Sequence, residues 1–308
     1  MKRIATILIV AAVSLPALAQ GTAMDFIRAD RNPVTAGLAG AGYASTAVGT
    51  AFSALANPAA VPFSGKTLDA AGSFISSPSG DSRAIYYGAG ASVRLGRVGI
   101  SAAYTGSSYP QVPLYSDGGG AAGTFKPVDM TAALGLSVGA GEYFSMGLVA
   151  RYASASIAPK STLTSFSADA MAMFRKDALS VCAGVVGLGP KVKSLGNKTY
   201  SLPASVKLAA AYGLGFGDFG IDLMADGDYY FSGNLSVAAG VQGNWKETAF
   251  LRAGYRYSGV KADFSAAPVP SGFSAGAGVK LFGVSLDVAY TLAGSLGGSL
   301  ALGLGYSF

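Results

Sequence analysis

The chain has 308 residues, a formal net charge of +6, a mean hydropathy of +0.42, 51% hydrophobic but only 12% charged residues, 44 glycines, one cysteine and no histidine. Soluble domains carry about 25% charged residues, so a chain this poor in charge must immerse or hide much of its surface. Without histidine, Ser/His/Asp and Cys/His catalysis and most zinc sites are removed, and the lone Cys182 cannot close an internal disulfide.

Met1 to Ala19 reads as an export signal. Lys2 and Arg3 lead, an apolar run follows from Ile4 to Leu15, and Ala17-Leu18-Ala19 supplies a small-x-small cleavage site before Gln20. The apolar run is shorter than the roughly 20 residues a membrane helix needs. No cysteine follows the cleavage point, which argues against a lipid-anchored product. Taking Lys2 and Arg3 from the +6 total leaves +4, and many of the remaining charges fall on inward positions or in turns, so the basic balance gives no reason to expect a nucleic-acid partner.

Residues 20–66 form one N-terminal unit, expected as a plug in the lumen of a barrel. There is no charge between Arg31 and Lys66. Gly37, Ala39, Gly40, Ala41, Gly42 and Ala44 let backbone pass close to backbone. Val48, Phe52 and Leu55 recur at helical spacing and predict a short helix from Thr46 that stops at Asn57-Pro58, because a residue before proline is pushed out of the α region. Gly40-x-Gly42 lacks the preceding strand and following βαβ unit of a dinucleotide loop.

Residues 67–308 read as a closed wall. No later stretch is a clean apolar helix span, and only helices and closed barrels satisfy every backbone group in lipid. The fold class is therefore all-β: a transmembrane β-barrel of about fourteen antiparallel strands, from near Thr67–Phe74 to Gly298–Phe308. Alternation supports it strand by strand. Phe144, Met146, Leu148, Ala150 and Tyr152 face lipid with Arg151 inward; Leu251, Ala253, Tyr255 and Tyr257 face lipid with Arg252 and Arg256 inward; Leu300, Leu302, Leu304, Tyr306 and Phe308 close the chain. Connection lengths fix the orientation. Gly96-Arg97, Gly139 to Glu142, Arg175 to Ala178, Gly215 to Asp218, Trp245 to Thr248 and Phe282-Gly283 are short, as periplasmic turns are. Thr105 to Lys126, Leu188 to Leu202 and Ser258 to Ser271 are long, as extracellular loops are. The location this implies is a bacterial outer membrane.

The inward charges are the most informative polar set: Asp129, Arg151, Asp169, Lys207, Asp222, Asp226, Asp228, Arg252, Arg256, Lys280 and Asp287. They are expected to form a ladder of ion pairs that braces the wall and anchors the N-terminal unit, with Asp25, Arg28, Asp30 and Arg31 as further members; a substrate site built from them is the alternative. Arg252 and Arg256 in particular are expected to meet inward or N-terminal carboxylates. Cys182 falls on the inward side as a small wall residue.

Tyr143, Phe144 and Trp245 near the short turns, and Tyr104, Tyr109, Tyr229, Tyr230 and Tyr257 near the outer ends, fit aromatic girdles at the headgroup boundary. The apolar stretch Tyr109, Pro110, Gln111, Val112, Pro113, Leu114, Tyr115, followed by Gly118 to Gly120, is expected as an outer loop tip that docks a partner or packs over the barrel mouth. Lys191, Lys193 and Lys198 share another outer loop, either simply solvated or meeting lipopolysaccharide phosphates.

The Gly/Ala-rich run Gly37 to Tyr43, followed by Asn57-Pro58-Ala59, resembles the N-terminal hatch of FadL-type outer-membrane barrels, and is most similar to the PorV/PorQ branch. Gly123-Thr124-Phe125 before Asp129, and Leu251-Arg252-Ala253-Gly254-Tyr255-Arg256, fit the same branch. Family hatches commonly carry acidic residues before the Asn-Pro-Ala motif, where this chain has Val48, Gly49 and Thr50. The resemblance implies an interaction protein for export or surface attachment of proteins, of the type IX secretion kind, with secretion components or exported proteins as partners. The wider FadL group implies instead a transporter of hydrophobic small molecules, the alternative here, since the small or charged inward residues offer no continuous apolar track and favour the secretion role. Neither reading calls for an enzyme, a cofactor or a metal, and the barrel is expected to be monomeric and surrounded by outer-membrane lipid and lipopolysaccharide.

Overall fold

The computed structural model describes residues 22–79, 82–115, 121–159, 161–193, 198–258, 271–293 and 297–308. The export signal expected at 1–19 and the glycines 118–120 lie outside these residues. In chain order the strands are β1 (Leu68–Ser79), β2 (Ser82–Leu95), β3 (Val98–Ser108), β4 (Val112–Tyr115), β5 (Ala121–Phe125), β6 (Val128–Ala140), β7 (Phe144–Ala158), β8 (Ser161–Lys176) and β9 (Leu179–Leu188). There follow β10 (Val192–Lys193), β11 (Thr199–Tyr200), β12 (Ser205–Phe216), β13 (Phe219–Tyr230), β14 (Leu235–Trp245), β15 (Ala249–Ser258), β16 (Ser271–Leu281), β17 (Val284–Ala293) and β18 (Gly298–Ser307).

Fourteen of these strands form a closed antiparallel barrel. Closure comes from β1 pairing with β18, in register from Asp69 opposite Ser307 to Ser76 opposite Leu300. β4 pairs with β5, and β10 with β11, as two small hairpins outside the wall. In lipid an open sheet edge would leave unpaired backbone groups, and closure removes both edges.

The pleat sorts the side chains. On β6, Leu134 and Leu136 are 66% and 62% exposed, whereas Asp129, Thr131, Ala133 and Ser137 between the outward positions are buried. The exposed belt of Leu, Val, Phe and Tyr side chains runs round the whole wall, as a hydrocarbon environment requires. Trp245 and Tyr143 sit at the short-turn end of this belt, and Tyr104 and Tyr257 at the long-connection end. An even-stranded, single-chain closed barrel with an apolar outer belt is a bacterial outer-membrane protein.

The inward positions are covered by residues 22–66. At the long-connection end the Ala23 amide donates to Ser201 O at 3.0 Å. At the short-turn end Arg175 Nη1 donates to Phe63 O at 2.9 Å, and the Thr67 amide, where β1 begins, donates to Phe308 O at 2.7 Å. Between these points Leu38, Ala41, Ala44, Val48, Ala59 and Ala60 form one apolar cluster with Met171, Met173, Cys182, Ala209, Met224 and other inward wall residues. Glycines in the wall permit this approach: a Cβ at Gly147 would lie 2.7 Å from Pro58 Cγ, and one at Gly254 would collide with the backbone carbonyl carbon of Leu38.

The predicted helix from Thr46 to Asn57 does not form. Residues 46–56 are successive turns, with Gly49 at φ +78°, a backbone conformation that a helix interior cannot contain. Asn57-Pro58 starts a 3-10 helix, Pro58–Phe63, instead of ending one: Asn57 Oδ1 accepts from the Ala59 amide at 3.0 Å and proline occupies the first helical position. Helical spacing of three apolar residues therefore reflected contact with the wall, not helix.

The expected loop from Thr105 is also corrected. β3 continues to Ser108, and the stretch that follows is the β4–β5 hairpin, not an irregular tip.

Candidate functional site

Among the described residues, two large chambers lie beside residues 22–66. The outer chamber, of about 810 Å³, is floored by Arg28 to Arg31, Ala39, Gly40 and Tyr43 and walled by Tyr86, Lys207, Asp228, Tyr230 and Arg256. The inner chamber, of about 750 Å³, lies at the short-turn end among Ser64 to Lys66, Asp69, Arg175, Asp222, Gln242, Arg252, Lys280 and Asp287.

Most of the expected charges meet partners. Arg28 Nη2 lies 2.8 Å from Asp228 Oδ1, and Lys207 Nζ lies 2.7 Å from Asp228 Oδ2 and 3.8 Å from Asp226 Oδ2. Asp226 also accepts from the amides of Gly42 and Tyr43, both at 3.2 Å, so one wall carboxylate fixes the Gly/Ala-rich run. Lys207 additionally lies 3.7 Å from the ring centre of Tyr43. Arg151 pairs with Asp169 and donates to Ile27 O at 2.9 Å and Leu55 O at 3.0 Å, tying two turns of the N-terminal segment to β7. Asp169 in turn accepts from the Gly187 amide at 2.7 Å, where the β8–β9 register shifts. Arg252 pairs with Asp287 at 2.7 Å and donates to Gln242 Oε1 at 2.6 Å, while Gln242 Nε2 donates to Asp222 at 3.2 Å.

Other members of the expected ladder do not pair. Arg256 has no carboxylate within 4.0 Å among the described residues; its Nε donates to Ala39 O at 2.7 Å and its Nη1 to Ser236 Oγ at 3.2 Å. Arg31 is likewise without a carboxylate partner among the described residues and lies over the Tyr86 ring at 4.2 Å. Asp30 is held by the Asn32 amide and the Thr35 hydroxyl, and Asp25 by the Thr22 hydroxyl. Asp129 accepts from the Tyr109 hydroxyl at 2.6 Å, and Lys280 faces the inner chamber without an ion pair among the described residues. Burial disfavours both Arg28 and Arg31 as cations. For Arg28 the neighbouring Tyr43 and Asp228 outweigh it and its pKa rises, whereas for Arg31 burial prevails and the pKa falls.

Asn57 does more than begin a helix. Its Nδ2 donates to Tyr43 O at 2.7 Å, joining the Asn57-Pro58-Ala59 motif to the end of the Gly/Ala-rich run. Pro58 and Ala59 are buried against β7, where Ser145 Oγ donates to Ala59 O.

Two aromatic assignments change. Tyr109 turns inward, with its hydroxyl on Asp129 and its ring edge-on to Tyr86 at 6.0 Å, so it is not the exposed end of a docking loop. Tyr230 lines the outer chamber, not the headgroup boundary. Parity could have found both: Tyr109 continues the inward series of Ser107, and Tyr230 that of Asp226 and Asp228. Tyr86, which sequence reasoning missed, has the same parity as inward Ala84 and Gly88. On the β4–β5 hairpin Val112 and Tyr115 are exposed, 42% and 69%, and Pro110 and Leu114 are half-buried. Among the described residues no cluster of acidic or cysteine side chains is arranged to hold a metal.

A closed antiparallel membrane barrel, with its own N-terminal residues 22–66 packed against its inward face, is the class these features define. No family model and no curated protein matches the chain. Solved structures do. The Pseudomonas putida toluene transporter TodX is similar at a TM-score of 0.61 and 11% identity, covering 90% of this chain and 97% of that one. The CymD monoaromatic hydrocarbon channel gives the same values, a TM-score of 0.61 and 11% identity over 90% of this chain and 97% of that one. A Pseudomonas aeruginosa FadL homologue is similar at a TM-score of 0.54 and 15% identity, covering 90% of this chain and 98% of that one. The fold is therefore that of a FadL-like barrel. The finer likeness to the PorV/PorQ branch rests on the sequence motifs alone.

Proposed function

We propose that this barrel passes small, largely apolar molecules across the outer membrane, with residues 22–66 acting as a plug that sets when the path is open. The observation that carries this reading is the pair of chambers, about 810 and about 750 Å³, both lined in part by residues of that segment. Each is large enough for a small organic molecule, since ligand pockets run to about 300–1,000 Å³. At its Arg28 end the segment is held by hydrogen bonds and ion pairs, contacts that can exchange for water, and its middle packs through an apolar cluster. The fold shared with proteins described as a toluene transporter and a hydrocarbon channel supports the same reading.

The secretion-accessory role implied by the PorV/PorQ resemblance is the second reading, and one observation favours it: the exposed β4–β5 hairpin offers Val112 and Tyr115 to the exterior. Cells carrying the full-length, hairpin-shortened or deleted chain separate the two. Uptake of a hydrophobic probe that falls on deletion, with an unchanged surface proteome, supports transport. Loss of surface proteins with unchanged uptake overturns it in favour of secretion.

A further inference from the structure

Among the described residues, the lining of the outer chamber contains four cationic side chains, Arg28, Arg31, Lys207 and Arg256, against two carboxylates, Asp30 and Asp228. Arg28 and Lys207 share Asp228, which leaves Arg31 and Arg256 as the cations without a carboxylate among the described residues.

Arg31 is the more telling of the two. It is only 8% exposed, and among the described residues its Nε is buried with no hydrogen-bond partner and its guanidinium makes one weak polar contact, Nη2 to Ser107 Oγ at 3.3 Å. Asp129 and Asp30 act on Arg31 only from beyond 4.0 Å; a buried cation without a close counter-ion is costly, and guanidinium groups suit the paired oxygens of a carboxylate. A ligand that brings its own negative charge into the chamber would supply what the protein withholds.

Ring systems flank the same space. Arg31 rests on Tyr86, and Arg28 lies 5.4 Å from the ring centre of Tyr230, so two tyrosine rings line the chamber beside its cations. Flat aromatic ligands gain from such neighbours through offset or edge-on packing.

We propose that the outer chamber receives a small aromatic carboxylate, with its anionic end at Arg31 and its ring against Tyr86, Arg256 adding positive charge to the same chamber. This rests on the transport reading and narrows it: the barrel selects a charged aromatic compound at its outer mouth, not a neutral hydrocarbon.

The test is calorimetric titration of the purified full chain in detergent with benzoate, with neutral benzyl alcohol and with inorganic phosphate. Benzoate should bind at least about tenfold more tightly than benzyl alcohol, because hydrogen bonds to a charged group are worth roughly 1.4 kcal/mol or more. Arg31→Gln should weaken benzoate by about tenfold and leave benzyl alcohol unchanged, with Arg31→Lys restoring part of the loss. Arg256→Gln is the second variant should Arg31→Gln fail to give a heat-modifiable barrel. Arg83→Gln, at the rim and outside the chamber lining, should change nothing. Absence of benzoate binding, equal affinity for benzoate and benzyl alcohol, or unchanged benzoate binding in Arg31→Gln overturns the proposal, and phosphate binding as tightly as benzoate overturns its aromatic part.

Entry of both organic compounds into proteoliposomes separates the site from transport. If benzyl alcohol enters and benzoate neither binds nor enters, charge selection fails and transport stands. If benzoate binds and neither compound enters, the site stands and the transport reading fails.

Discussion

Arg28 and Asp228 meet at 2.8 Å across 200 residues of sequence, joining the start of the luminal segment to the wall strand β13. Both side chains are less than a tenth exposed, so the contact is poorly screened by salt. Asp228 also holds Lys207, and removing Arg28 therefore leaves the carboxylate paired. Arg28→Ala should lower stability by about 2 kcal/mol, less than a lone buried pair would cost. In planar bilayers the variant should conduct more than wild type, because the segment loses its outer anchor. Wild-type conductance together with wild-type thermal stability would count against this anchoring role.

Arg252 and Asp287 pair at 2.7 Å with side chains 4% and 10% exposed. Arg252→Ala should strand Asp287 without its cation and cost about 3–5 kcal/mol. The temperature at which the folded band converts to the unfolded one in a detergent gel should fall clearly. Asp287→Asn combined with Arg252→Met should recover most of the loss, since both charges are then gone.

Asn57 ends one structural unit and begins the next. Asn57→Ala removes both the cap on the Ala59 amide and the bond to Tyr43 O, and should cost about 1–2 kcal/mol. Asn57→Asp keeps the cap but loses the donor to Tyr43, and should fall between the two in thermal melting. Equal melting temperatures for all three would mean that the cap contributes nothing measurable.

Gly254 faces the backbone of Leu38 with no room for a side chain. Gly254→Val should fold as a barrel yet force the luminal segment away from the wall. Cys182, 1% exposed and in the same apolar cluster as Leu38, gives a direct readout. In wild type it should resist maleimide labelling until the protein is boiled. In Gly254→Val it should label in the folded state; if it stayed protected, the segment would not be what covers it.

The sequence by itself determined the wall. Period-two alternation on segments such as Phe144 to Tyr152, short connections alternating with long ones and the scarcity of charge leave a closed membrane barrel as the arrangement that satisfies every backbone group in lipid. Parity along a strand is local, so Asp226 and Asp228, or Arg252 and Arg256, share a side as soon as the strand is recognised. The same rule, carried to the last residue of β13 and one step past the end of β3, would have turned Tyr230 and Tyr109 inward.

Only the tertiary structure decided how the inward groups are shared out. Asp228 takes both Arg28 and Lys207, Asp287 takes Arg252, and Arg31 and Arg256 are left without carboxylates among the described residues, although all these charges look equivalent in the sequence. Pairing of that kind depends on register around the barrel and on the path of residues 22–66 through it, both set by contacts between residues up to 200 or more positions apart. The same long-range packing overruled the helical spacing of Val48, Phe52 and Leu55. A chain lying against a wall on several sides buries apolar residues at whatever spacing the contacts require, and Gly49 supplies the turn that a helix forbids.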